Sequence, residues 1–110
     1  MSSEHLIQVS CVNWFKREYP KYLIFSIPNG ELRHKTVAIR LKAEGLLSGI
    51  TDLCVITDKK VLWIELKAEK GRLSNNQKEV QKKLQELNQE VYTCYSFDDF
   101  KNLLQKVTSD

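Results

Sequence analysis

The stretch Gly49-Ile50-Thr51-Asp52-Leu53-Cys54-Val55-Ile56-Thr57-Asp58-Lys59-Lys60-Val61-Leu62-Trp63-Ile64-Glu65-Leu66-Lys67 decides how the chain folds. Two apolar runs, Asp52–Thr57 and Val61–Lys67, flank the polar turn Asp58-Lys59-Lys60 and read as a β-hairpin. Side chains alternate along a strand. Val61, Trp63, Glu65 and Lys67 therefore share one face, and Leu62, Ile64 and Leu66 the other. With Asp58-Lys59 as the loop, Asp52 falls directly opposite Glu65. Opposed residues of an antiparallel pair have Cα atoms about 4.5–5.5 Å apart. Two carboxylates at that spacing repel unless a positive charge lies between them. Lys67, roughly 7 Å further along the same face, is one such charge, and a divalent cation is another. A loop one residue longer would break the opposition.

The rest of the chain builds an α/β layer around this hairpin. Ser3 is positioned to cap a helix from Glu4 to Tyr19, stopped by Pro20, with Ile7, Cys11, Trp14 and Phe15 on its apolar stripe. Glu4 and Gln8 lie at the edge of that stripe. Tyr22–Ile27 reads as a strand ended by Pro28 and the Asn29-Gly30 turn signal. The segment Glu31–Glu44 turns helical towards its end, with Val37 and Leu41 inward and Gly45 just past the cap.

After Lys67 comes a basic, glycine-containing loop, Ala68-Glu69-Lys70-Gly71-Arg72-Leu73. Ser74 with Gln77 makes a capping box for a helix whose inner face is Gln77, Val80, Leu84 and Leu87. Val91–Tyr95 is a further strand. Ser96 caps a last helix with Phe97, Phe100, Leu104 and Val107 inward. The expected order is α-β-(α)-β-β-α-β-α, in one domain spanning 1–110.

Composition narrows the class. Hydrophobic residues at 42% and charged residues at 28% suit a globular domain, and a net charge of +3 permits nucleic-acid binding without demanding it. No apolar run suits a membrane span or a secretion signal, so the expectation is a cytoplasmic protein with no membrane partner. Cys11, Cys54 and Cys94 lie in apolar stretches without CxxC spacing. With His5 and His34 the only histidines, they read as reduced core residues, neither disulfides nor zinc ligands.

Two acids and a lysine in this pattern suit metal-assisted phosphodiester hydrolysis. Mg²⁺ takes oxygen ligands, often one or two carboxylates completed by phosphate and water. Asp52 and Glu65 supply the carboxylates, and the Leu66 backbone carbonyl lies between Glu65 and Lys67 as a further oxygen. Lys67 neutralises the phosphate or orients the attacking water. Glu4 is a further acidic ligand if the first helix packs across this edge, and Gln77 faces in from the neighbouring helix. Each residue also has a plain structural reading. Glu65 and Lys67 alone read as an exposed ion pair, Asp52 as a turn cap, Gln77 as a helix cap and Glu4 as a first-turn acid. Lys70 and Arg72 read equally as a solvated loop, and Trp63 as a core residue. The conjunction favours a site: acid, hairpin, acid-x-lysine, basic loop, then an inward glutamine.

Asp52 followed by Glu65-Leu66-Lys67 resembles the PD-(D/E)XK nuclease superfamily. The fuller run is Ile27-Pro28-Asn29-Gly30, Lys42-Ala43-Glu44-Gly45, Gly49-Ile50-Thr51-Asp52-Leu53, Ile64-Glu65-Leu66-Lys67-Ala68 and Lys70-Gly71-Arg72-Leu73-Ser74 with Gln77. It resembles the VRR-NUC family of virus-type replication-repair nucleases, and Glu4 and Gln8 match that family's acidic N-terminal helix. The resemblance implies a restriction-endonuclease-like fold, with a mixed central sheet flanked by helices. It implies Mg²⁺ or Mn²⁺ dependence and structure-selective cleavage of DNA in a bacterial or phage-infected cell, with a role in DNA repair. Glu4, Asp52, Glu65 and Lys67 carry over as functional positions, with Gln77 in support and Lys70 and Arg72 as DNA contacts. Small stand-alone members resemble Holliday-junction resolvases acting as homodimers. Thr51 stands where the family commonly has proline. A flap or nicking nuclease, or a non-catalytic DNA-binding module of the same fold, are the alternatives.

Overall fold

In a computed structural model, which describes residues 3–28 and 34–109, the hairpin forms the middle of a four-stranded sheet ordered β1-β2-β3-β4. The elements in chain order are α1 (Ser3–Glu18), β1 (Leu23–Ser26), α2 (Lys35–Ala43), β2 (Leu53–Ile56), β3 (Val61–Leu66), α3 (Asn75–Glu86), β4 (Glu90–Cys94) and α4 (Phe97–Thr108). β1, β2 and β3 are antiparallel neighbours, whereas β4 runs parallel to β3 after the α3 crossover. The mixed sheet is thus present in the expected order.

The hairpin register is the expected one. Leu53 faces Ile64, Ile56 faces Val61, and the Thr57 N–H donates to the Lys60 carbonyl at 2.9 Å, closing the loop over Asp58-Lys59. A loop without the favoured Asn-Gly sequence is held instead by the Thr57 hydroxyl, which accepts from the amides of Lys59 and Lys60.

Alternation sorts the two faces. Leu53, Val55, Leu62, Ile64 and Leu66 point into the core, where Cys11, Trp14 and Phe15 of α1 and Phe100 and Leu104 of α4 cover them. Trp14 makes edge-on ring contacts with Tyr19, Phe97 and Phe100. On the opposite face α3 packs against β4 and leaves the β1 side uncovered. Trp63 lies on this second face, half-buried and donating to the Gln89 side chain, and is not a core residue. Cys11, Cys54 and Cys94 are free and buried as expected, and burial pushes the Cys11 and Cys94 thiols up to about 12.

Several expected boundaries shift. α1 already includes Ser3 as a helical residue and ends at Glu18, one residue earlier than expected. β2 begins at Leu53 and β3 ends at Leu66, so Asp52 and Lys67 sit just beyond their strands. β4 starts one residue early, at Glu90, and β1 is shorter than expected. Leu87 is the C-cap of α3 and is 62% exposed, because the helix ends before that side chain reaches the sheet. No residue of α2 is buried; Val37 and Leu41 are only partly covered, since among the described residues the helix packs on no other element. The Asn29-Gly30 turn and Glu31–Arg33 lie outside the described residues.

Gly45 follows the α2 C-cap as expected. Its φ is +110°, its N–H bonds the Lys42 carbonyl, and the Leu46 N–H reaches Leu41, which makes a Schellman motif. Among the described residues, no helix is long and apolar enough to cross a membrane.

Candidate active site

Asp52 is held on both sides as the chain enters β2. Its carbonyl accepts the Ile27 N–H at 2.8 Å, continuing the β1 ladder. Its carboxylate Oδ2 accepts the Leu66 N–H at 2.7 Å. The ladder between β2 and β3 stops at Leu53, so the side chain of Asp52 takes up a strand amide that the backbone no longer reaches. Thr51 is fully buried and donates its hydroxyl to the Leu53 carbonyl. That bond holds the turn by which the chain enters β2.

Glu65 is the last but one residue of β3 and only 1% exposed. Gln77 Nε2 donates to its Oε2 at 2.9 Å, and Lys67 Nζ stands 3.8 Å from the same oxygen. That distance is an ion pair without a hydrogen bond. The other oxygen, Oε1, is buried and receives no hydrogen-bond donor from the described residues. Glu65 and Asp52 approach closely enough to share a proton once either is protonated.

The electrostatics follow from burial and crowding. Desolvation pushes the Glu65 carboxyl up to about 8, with the neighbouring Asp52 charge adding to the rise and Lys67 opposing it. Asp52 is raised too, first by desolvation; the Leu66 amide hydrogen bond pulls it back. Glu4, half-buried in the first turn of α1, raises both carboxyls through its charge. The structure therefore brings Asp52, Glu65, Lys67 and Gln77 into one site, with Glu4 within electrostatic reach. Among the described residues, no group of three His, Cys, Asp or Glu side chains stands close enough to hold one metal ion. Glu4 thus lies near the pair but outside a common coordination shell.

Gln77 does two jobs with one amide. Its Oε1 accepts the Ser74 N–H at 2.8 Å and the Ser74 hydroxyl accepts the Gln77 N–H, completing the capping box, while its Nε2 serves Glu65. The start of α3 is fixed against the β2 entry loop by Gly49. Gly49 has φ +89°, and a Cβ there would stand 2.6 Å from the Asn76 carbonyl oxygen. Lys70 and Arg72 are exposed on the loop after β3, whose turn is closed by the Gly71 N–H on the Ala68 carbonyl.

The Leu66 contact had no signal in the chain's alternation. The sequence pattern points to the Leu66 carbonyl, whereas the structure ties the Leu66 N–H to Asp52.

A family model of the VRR-NUC domain matches residues 2–98, almost the whole of the described chain. The chain belongs to the VRR-NUC family. This is a family of nuclease domains. Two solved structures share the fold of this VRR-NUC domain. One, described as a VRR_NUC domain protein, superposes with a TM-score of 0.78 at 21% identity, over 98% of this chain and 89% of the other. A second, described as a VRR_NUC domain, has a TM-score of 0.68 at 19% identity, over 96% and 97%. At such identities the likeness speaks for the fold alone. No curated protein matches this VRR-NUC domain.

Proposed function

We propose that this VRR-NUC domain is an Mg²⁺- or Mn²⁺-dependent, structure-selective DNA endonuclease that cuts branched DNA, such as a four-way junction, as a homodimer. The observation that carries the proposal is the meeting of Asp52 and Glu65 at one end of the two central strands, with Lys67 beside them and one buried carboxylate oxygen without a donor among the described residues. The donor set fits a hard divalent cation. It is oxygen only, and two carboxylates suffice when phosphate and water complete the shell. Asp52 and Glu65 are the residues that would hold the ion. When bound, it supplies Lewis-acid polarisation of the scissile phosphate and a bound water of lowered pKa.

The chain's own residues do the rest. The Leu66 amide and the Ile27 ladder bond fix the direction of the Asp52 carboxylate. Gln77 holds Glu65 in one rotamer. Lys67 places a cation where negative charge develops on the phosphate and orients the attacking water. Lys70 and Arg72, exposed on the adjoining loop, contact the DNA backbone.

An apolar strip on the part of the second sheet face that α3 does not cover supports the dimer. Leu23 and Phe25, 62% and 47% exposed, lie in register with Ile56 and Cys54 of β2, and Val61 and Trp63 continue the two rows on β3. The next row of the same face is Asp52 and Glu65. A self-complementary contact across such a strip gives the two sites that symmetrical cutting of a junction needs.

The test is cleavage of a labelled four-way junction with Mg²⁺ or Mn²⁺, set beside flaps and duplex. Wild type is expected to cut the junction in preference. Asp52→Ala and Lys67→Ala are expected to bind it without cutting. Metal-dependent nicking that survives both substitutions overturns the site. Preferential cutting of flaps assigns the flap activity instead, and binding without cleavage under either ion leaves a DNA-binding module.

A further inference from the structure

A second feature lies at the carboxyl ends of the parallel pair β3 and β4. Ligands in open α/β sheets collect outside such strand ends, where the connecting loops diverge. Here the ends are clamped together, since the Lys67 N–H donates to the Cys94 carbonyl at 2.9 Å. Beyond that clamp the two chains separate around a cavity of about 740 Å³. Its walls include Ile7 of α1, Glu69 and Lys70 of the loop after β3, and Tyr95, Phe97 and Asp99 of the corner between β4 and α4. The volume is that of a small-molecule site, roughly 300–1,000 Å³.

The chemistry of the walls selects among parts of a nucleic acid. Two carboxylates face one lysine, which disfavours a phosphate. Three apolar side chains, two of them aromatic, favour a flat ring. Phe97 is committed to the core through its edge contact with Trp14, whereas Tyr95 is 39% exposed. Asp99 is already used by the Tyr95 N–H, at 2.9 Å from its Oδ2. Glu69 and Lys70 form no ion pair or side-chain hydrogen bond with another described residue. Carboxylates accept from the exocyclic amino groups of bases, and aromatic side chains stack on base faces.

We propose that this cavity receives an unpaired base from the strand being cut, stacked on Tyr95 and met at its polar edge by Glu69. The inference rests on the nuclease reading of the adjoining Asp52–Glu65–Lys67 site. It names the source of structure selectivity. Tyr95 follows Cys94 as Lys67 follows Leu66, and Leu66 and Cys94 are partners in the ladder, so the stacking residue and the lysine of the site leave adjacent strand ends. A base in intact duplex must be unpaired and unstacked to enter, whereas one at a branch point is already partly free. Branched DNA then gains a contact that duplex gains only at a cost.

The experiment places 2-aminopurine at successive positions around the branch point of a four-way junction and records its fluorescence on binding the full chain without divalent ions. Cleavage with Mg²⁺ or Mn²⁺ is measured in parallel. Wild type and Tyr95→Phe are expected to change the fluorescence at one or two adjacent positions. Tyr95→Leu and Glu69→Gln are expected to lose that change, and to lose about tenfold in preference for junction over duplex with junction kcat at saturation within about threefold. If Tyr95→Leu does not fold, Glu69→Gln and the wild-type signal decide. No position-specific change with wild type overturns the inference, even if cleavage is normal. A position-specific change lost in Glu69→Gln, with no cleavage by wild type, sustains the cavity and sinks the nuclease reading instead.

Discussion

Gln77 and Glu65 are joined by a hydrogen bond of 2.9 Å from Nε2 to Oε2, and the other end of the same amide caps α3 by accepting the Ser74 N–H. One side chain thus links the position of a helix to the rotamer of a buried carboxyl. The helix cannot move without releasing Glu65, and Glu65 cannot turn without leaving a buried donor unpaired.

Two substitutions at Gln77 separate these roles. Gln77→Ala removes both contacts and is expected to cost about 2 kcal/mol, a fall in Tm of roughly 10 °C. Gln77→Glu keeps the acceptor for Ser74 but sets another carboxyl against Glu65. It is expected to lose less stability at pH 5 than Gln77→Ala and to cleave at least about tenfold more slowly than wild type. Thermal melts and junction cleavage check the pair. Equal melts with unchanged cleavage would refute the linkage.

Lys67 stands 3.8 Å from Glu65 and its side chain is 13% exposed, so its stem packs while its charge faces the site. Lys67→Met keeps the stem. The expected outcome is a loss of about 100-fold in kcat, with Tm within about 3 °C of wild type and the KM for DNA changed less than tenfold. Steady-state cleavage and a melt of the same preparation measure all three.

Much of this architecture was legible because alternation and turn chemistry agree. The polar pair Asp58-Lys59 between two apolar runs sets the register, and the register sets Asp52 against Glu65. The Ser74–Gln77 spacing marks the start of α3, and Gly45 and Ser96 mark two further helix ends. What was not legible depends on tertiary placement. Val37 and Leu41 have the pattern of a buried stripe, yet α2 finds no element to bury them against. Trp63 has the bulk of a core residue but the parity of the α3 face. The Leu66 amide carries no sequence signal, because any residue there offers one. Tyr95 reads as the end of a strand, and only the parting of the β3 and β4 loops makes it the wall of a cavity.

Gly49 gives a test of how the entry loop sets the site. Its φ of +89° is unfavourable for other residues, and its Cβ position meets the Asn76 backbone oxygen at 2.6 Å. Gly49→Ala must therefore strain the loop or push the first turn of α3 away. A loss of at least about 1 kcal/mol is expected, or roughly 5 °C in Tm, together with slower cleavage because Gln77 moves with that turn. A melt and a cleavage assay of Gly49→Ala check this; a variant as stable and as active as wild type contradicts it.

The raised carboxyl of Glu65 sets a pH dependence with a definite sign. Its ordinary value is 4.5 and the folded chain pushes it up to about 8, chiefly by burial. Between these values the folded chain holds a proton that the unfolded chain has released, so this group's contribution to stability falls as pH rises from about 4.5 to 8. Glu65→Gln removes the titration. Its carbonyl oxygen still accepts from Gln77, and its NH₂ offers Asp52 the hydrogen that a protonated Glu65 would offer. The variant is therefore expected to melt at least about 4 °C above wild type at pH 8 without divalent ions, to match it within about 2 °C at pH 4.5, and to be inactive. Mg²⁺ or Mn²⁺ is expected to raise the wild-type Tm more at pH 8 than at pH 5.5, because the carboxyls must shed their shared proton to bind it, and to leave Glu65→Gln almost unchanged. Differential scanning calorimetry over that pH range, with and without the ion, reads both effects. A wild-type curve parallel to that of Glu65→Gln would show that Glu65 titrates as an ordinary carboxylate, and that burial does not hold a proton at the site.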